Sequence, residues 1–156
     1  MKNNKYILLS FLFIALFQYE VCAQNVYPLN FEGCNTSQFA LESKNETAKI
    51  EDKLLTDAIT KHLDAKTLKK LRGYLNLQVI VYEDGSCCLL SVENKANQSN
   101  NKLDFKQMKN NIDTGLSWKN GTKNVAALIE VKFKKQQIFI KRYGLDANRG
   151  WHTLKK

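Results

Sequence analysis

Residues 73–92 read GYLNLQVIVYEDGSCCLLSV, and the fold turns on them. Leu75, Leu77, Val79 and Val81 alternate with Tyr74, Asn76, Gln78, Ile80 and Tyr82, so an extended chain has one wholly aliphatic face and one mixed face. That alternation predicts a half-buried antiparallel strand. Glu83-Asp84-Gly85-Ser86 supplies a hairpin turn with glycine where a positive φ is needed, and Cys87 to Val92 returns as the partner strand.

Upstream, Ile50, Leu54, Leu55, Ala58, Ile59 and Leu63 recur at helical spacing, which predicts a helix from about Glu46, with Ser43 or Asn45 as its cap. His62 borders that apolar face and reads as an ordinary, partly exposed histidine rather than a catalytic one. Lys66 to Arg72 is a short basic connection. Downstream, Phe105, Met108 and Ile112 mark a second helix over Lys102 to Ile112, and Val125 to Phe133 a third strand. Ile138 to Tyr143 reads as a fourth strand returning as a hairpin, although Lys134 to Gln137 is a weak turn signal. The class is α+β, in two layers: an antiparallel sheet of three to four strands with two helices on one face.

The chain of 156 residues suits one domain. Lys2 and Lys5 precede an apolar run from Tyr6 to Phe17, and Val21-Cys22-Ala23 offers small residues before a cleavage point. Residues 1–23 therefore read as a secretory signal peptide. The alternative is a membrane anchor through residues 6–23, for which the apolar run is shorter than the roughly 20 residues that span a bilayer. Residues 24–45 hold Pro28 and show no period, so they read as an extended lead; 46–143 form the domain; 144–156 read as a mobile tail in which Trp151 is the residue able to dock.

Removing the signal leaves Cys34, Cys87 and Cys88 in a compartment that permits disulfides. Adjacent strand residues point to opposite faces, so one of Cys87 and Cys88 reads as a core residue and the other faces solvent or a neighbouring segment; either Cys34 bridges one of them or all three are plain buried thiols. No metal-binding spacing links the cysteines with His62 and His152, and no cofactor is expected.

Residues 24–101 carry 9 Lys/Arg against 10 Asp/Glu, whereas 102–156 carry 13 against 4. The basic half suits an anionic envelope polymer, or simply keeps edges and faces soluble. No nucleic-acid module is recognisable. Nor is a nucleophile elbow, a phosphate loop or a zinc motif, so the chain is not expected to be an enzyme. Glu51/Asp52 and Glu83/Asp84 read as a helix surface and a turn.

The order helix, strand, strand, helix, strand resembles the TonB C-terminal domain family over about residues 46–135. The resemblance rests on Gly73 opening a strand, the Asp84-Gly85 turn, Leu116-Ser117-Trp118 after the second helix and Asn120-Gly121 before the Val125 strand, with Phe31-Glu32-Gly33-Cys34 similar to an element before many exported members. It implies a periplasmic module that recognises an extended segment of an outer-membrane receptor or other envelope protein by β-strand addition. The implied binding edge is Ile129, Val131, Lys132, Phe133 and Lys134 or, if the last run stays in the sheet, Ile138, Phe139, Ile140 and Lys141. No long proline-rich spacer follows the apolar run and the Tyr-Pro element of well-known members is missing, so a free-standing module is expected, an adaptor or a decoy, as a monomer or a strand-exchanged dimer. The other readings are a structural or cell-wall-binding protein of the envelope, and a secreted protein of cystatin-like shape in which Asn35, Asn45, Asn97 and Asn120 would be glycosylation acceptors.

Overall fold

A computed structural model describes residues 25–119, 121 and 123–155, so the segment read as a signal peptide lies outside the described residues. The strands are β1 (Leu29–Asn30), β2 (Ala40–Leu41), β3 (Gly73–Val81), β4 (Cys87–Ala96), β5 (Val125–Lys134), β6 (Gln137–Asp146) and β7 (Gly150–Thr153). The helices are α1 (Asp52–Thr60), α2 (Ala65–Lys70), α3 (Asn100–Leu103) and α4 (Phe105–Gly115). One sheet runs β1-β4-β3-β5-β6-β7, with β2 parallel to the start of β5 and every other pairing antiparallel. The class is α+β, but the sheet has seven strands rather than three or four.

β3 and β4 form the hairpin that the alternation dictates, and Gly85 sits at φ +84° in its turn. A Cβ there would lie 2.4 Å from the Trp118 carbonyl oxygen, and Trp118 N–H donates to the Gly85 carbonyl at 2.8 Å. Glycine is thus required twice, for its φ and for the close approach. Leu75, Leu77, Val79 and Val81 are fully buried in one cluster with Leu55 and Ile59 of α1 and Met108 and Ile112 of α4.

The other face is not left to solvent as half-burial requires. Ile80, Cys88, Leu90, Ala126 and Leu128 are buried there as well, outside the main cluster. The lead crosses this side of the sheet: Val26 N–H donates to Gln78 Oε1 at 2.8 Å, and Asn35 N–H to the Tyr82 hydroxyl at 2.9 Å. Tyr27 sits deep enough, and near enough to Glu93, that its phenol is pushed up to about 12. The lead is therefore part of the fold, and it adds two short strands.

Other boundaries moved for local reasons. The first helix begins at Asp52, not Glu46, because Lys49 pairs with Lys119 and Asn45 with Lys155 in isolated bridges. Leu54, counted on its apolar face, is 47% exposed: a nine-residue helix buries only the narrow stripe Leu55, Ala58, Ile59. The basic connection contains α2, capped by Asp64, whose carboxylate accepts Thr67 N–H at 2.8 Å. The second helix is broken at Asp104, which adopts φ 41° and caps α4 by accepting Gln107 N–H.

The expected fourth strand pairs with β5, and its turn is Lys135-Gln136 with φ 48° and 67°. Two left-handed residues in a two-residue loop match the twist of the strands, and the sequence meets that demand without glycine. The tail is folded into the sheet: β7 pairs with Tyr143–Asp146, and Leu154, not Trp151, is the buried anchor. Trp151 is 53% exposed.

Candidate functional site: an unpaired sheet edge

β5 is central, hydrogen-bonded to β3 along its length and to β6 over Leu128–Lys134. Ile129, Val131, Lys132, Phe133 and Lys134 therefore cannot receive an added strand, since both edges of their backbone are already paired. This corrects the first of the two expected edges. Ile129, Val131 and Phe133 are instead core residues, while Lys132 and Lys134 are exposed on the helix-free face.

β6 is different. β7 covers its outer side only over Tyr143–Asp146, with Leu154 N–H donating to the Arg142 carbonyl at 2.9 Å just beyond. From Gln137 to Ile140 no strand lies outside it among the described residues. The Arg142 carbonyl fixes the parity: even-numbered residues of β6 turn their backbone groups outward, so the N–H and C=O of Ile138 and Ile140 face away from β5.

Side chains alternate about that edge. Ile138 and Ile140 pack against the main cluster on the helix side, whereas Phe139, 46% exposed, and Lys141 stand on the other. Beside Ile138 a cleft of about 400 Å³ opens between α2 and the β5–β6 turn, lined by Leu68, Leu71, Phe133, Gln136 and Ile138 with Lys69 at its margin. A strand laid against Ile138–Ile140 would direct alternate side chains toward this cleft and toward Phe139.

The opposite edge of the sheet is covered over the first part of β4. β1 pairs with Ser91 and Val92 of β4, Phe31 N–H donates to the Leu90 carbonyl, and the Asp113 carboxylate accepts Leu89 N–H at 2.7 Å. A disulfide joins Cys34 to Cys88 there, and Cys87 remains a free thiol on the helix side with its sulfur 3.3 Å from the Ile112 carbonyl oxygen. Burial pushes the Cys87 thiol up to about 11. The uncovered end of β4 carries Glu93, Asn94 and Lys95, with Glu93 and Lys95 ion-paired at 2.9 Å. Charge blunts that end, whereas the open stretch of β6 presents Ile-Phe-Ile.

Three other polar groupings tie elements together. His62 Nε2 lies 2.8 Å from the Leu103 carbonyl and Nδ1 3.2 Å from the Asn111 amide, so the ring ties helix α1's exit to α3 and α4 through both nitrogens. Asp84 accepts from Ser86, which holds its carboxyl below the usual range. Glu42 and Arg142 form a buried ion pair; Glu42 also accepts Thr47 and Ala48 N–H, and Arg142 lies 5.2 Å from the Trp118 ring centroid. That pair locks the lead to β6, and neither residue stood out in the sequence.

Among the described residues no group of three metal-ligating side chains gathers, and no helix is long and apolar enough to cross a membrane. What sequence reasoning missed is the part of the chain that sets the length of the open edge, β7. Its signal was present in Asp146-Ala147-Asn148-Arg149-Gly150: the Asp146 carboxylate accepts Asn148 and Arg149 N–H, and Gly150 takes φ 62°. Compared with known proteins, the chain matches no family model, no curated protein and no solved structure.

Proposed function

We propose that this chain is an exported, periplasmic binding module that captures an extended segment of an outer-membrane receptor or another envelope protein by strand addition, in the manner of the TonB C-terminal domain family it resembles. The observation that carries the reading is the stretch Gln137–Ile140 of β6, whose outer side has no strand partner among the described residues and whose exposed Phe139 is flanked by Ile138 and Ile140. Outward N–H and C=O groups supply affinity, and alternate side chains supply choice of sequence. Lys141 and Lys134 flank the edge on the helix-free face and favour an acidic segment. The role is that of an adaptor: a clasp that binds its partner.

Titration of the isotope-labelled protein with receptor-derived extended peptides tests this by backbone amide NMR. Saturable shifts are expected at Ile138, Ile140 and Lys141, with the Ile129–Phe133 amides, already paired on both sides, little changed. Ile140→Pro removes an outward donor at the edge while sparing the bonds to β5, and binding is expected to drop by about tenfold or more. Saturable shifts confined to another surface, or none with any such peptide, would refute the reading.

A further inference from the structure

Lys109 of α4 reaches the outer edge of β4 and sets its ammonium on the cystine: Nζ is 3.1 Å from Cys88 Sγ and 3.6 Å from Cys34 Sγ. The group is held there by Asp113 Oδ2 at 2.6 Å, the Leu89 carbonyl at 3.2 Å and the Phe31 ring at 6.0 Å. Asp113 is itself fixed, because its other oxygen accepts Leu89 N–H, and the side chains of Lys109 and Asp113 are only 18% and 22% exposed. The two residues differ in exposure. Cys88 is 6% exposed on β4, whereas Cys34 lies half-buried in the irregular lead.

We propose that the Cys34–Cys88 cystine is a thiol-exchange site, opened by a dithiol reductant that attacks Cys34 while Lys109 stabilises Cys88 as the leaving thiolate. A thiolate of the reductant bonds to Cys34 Sγ, the S–S bond breaks, and its electron pair passes to Cys88 Sγ beside the ammonium. The second thiol of the reductant, as thiolate, then displaces Cys34 from the mixed disulfide. Two protons from the dithiol end on the two cysteines or in solvent; the dithiol is oxidised to a disulfide and the cystine is reduced. The leaving sulfur's acidity governs both rate and poise, and a cation in contact lowers a thiol's pKa. Asp113 acts in the opposite sense, since its Oδ2 is 3.5 Å from Cys88 Sγ and a carboxylate disfavours a neighbouring thiolate. The ammonium is nearer, so its effect prevails. Cys87, buried on the helix side, is no competitor in the exchange.

The opposed signs give the test. The full chain and its K109R, K109Q and D113N variants are equilibrated at neutral pH with reduced and oxidised dithiothreitol, and the open fraction is counted by mass after alkylation. K109Q should require a ratio about tenfold more reducing, equal to about 30 mV for this two-electron couple, while K109R stays near wild type and D113N shifts the other way. A merely structural ion pair would move K109Q and D113N in the same direction, and that result overturns the proposal. Should K109Q fail to fold, the 240 nm absorbance of the Cys34→Ser variant decides: Cys88 should ionise below the ordinary thiol value of about 8.5. Ionisation at or above that value also overturns it.

Discussion

Replacing Cys34 and Cys88 together by serine isolates the thermodynamic weight of the cystine. The bridged residues are 54 apart in sequence, so the cross-link closes a loop of about 55 residues in the unfolded chain. Chain-entropy arithmetic for that loop gives about 14 cal/mol/K, or about 4 kcal/mol at 25 °C. Domain stabilities are about 5–15 kcal/mol, so the loss is a large share of the whole. With a urea m-value of about 2 kcal/mol/M, the midpoint should fall by about 2 M. Wild-type protein unfolded in reductant should lose most of that stability as well, its midpoint lying a little above that of the double variant because Cys88 still faces the Lys109 ammonium. The m-value should rise slightly, since an untethered chain exposes more surface. A midpoint shift below about 0.5 M would refute the reasoning; it would mean that the lead is held against β4 equally well without the bond, through β1, Phe31 and Asn35 alone.

Three further outcomes follow from buried or strained positions. Gly85→Ala should cost more than about 2 kcal/mol in urea unfolding, because a side chain there meets the Trp118 carbonyl and an unfavourable φ at once. Replacing Lys135-Gln136 by Asn-Gly should raise stability by about 1 kcal/mol, as both positions already hold positive φ; an unchanged melting midpoint would count against the turn as described. The Tyr27 phenol, raised from 10.0 to about 12, keeps its proton in the folded chain after the unfolded chain has lost it. Stability from this group is therefore complete below pH 10 and is lost as the pH rises from 10 to 12, so wild type should lose more stability across that window than Tyr27→Phe. Difference absorbance at 295 nm between the two proteins should place the Tyr27 transition near the upper end of the window.

What the sequence made legible is what short-range physics decides. The alternation of Leu75, Leu77, Val79 and Val81 fixed a strand and its buried face, and Asp84-Gly85 fixed the turn, because period and turn chemistry are local. The lead and the tail were illegible for the converse reason. Two-residue strands such as Leu29–Asn30 and Ala40–Leu41 have no period to detect, and their place is set by partners 60 to 90 residues away at Val92 and Val125. The exposed face assigned to β3 failed at Gln78 and Ile80, both fully buried on the side that the lead crosses, Ile80 being the one aliphatic residue among Tyr74, Asn76, Gln78 and Tyr82. An isoleucine out of step in a mixed face was the available hint. The open edge was half legible: a strand at Ile138–Tyr143 could be read, but which of two adjacent strands is outermost depends on pairing, not on composition.

Glu42 and Arg142 show how the fold decides which edge stays open. A buried ion pair contributes little net stability compared with apolar packing, yet removing one partner strands the other and costs about 3–5 kcal/mol. Here the pair joins residue 42 of the lead to β6 at Arg142, beside Gly144, where a Cβ would collide with the Ser43 carbonyl at 2.7 Å and the Glu42 carbonyl at 2.8 Å. The lead thus crosses from β4, where the cystine ties it, to the far end of β6, where the ion pair ties it, and it stops short of Ile138. Glu42→Gln should consequently loosen both the lead and the β6–β7 end, seen as faster amide exchange at Leu145 and Leu154, whose N–H groups donate to Glu42 and Arg142 carbonyls. The double replacement Glu42→Gln with Arg142→Met should recover most of that protection, because it removes the stranded charge and keeps an oxygen for the Thr47 and Ala48 N–H groups. Protection lost equally in the single and double variants would show instead that the ion pair is needed for the register itself, and that the open edge at Ile138 owes its position to charge pairing rather than to the packing of Gly144.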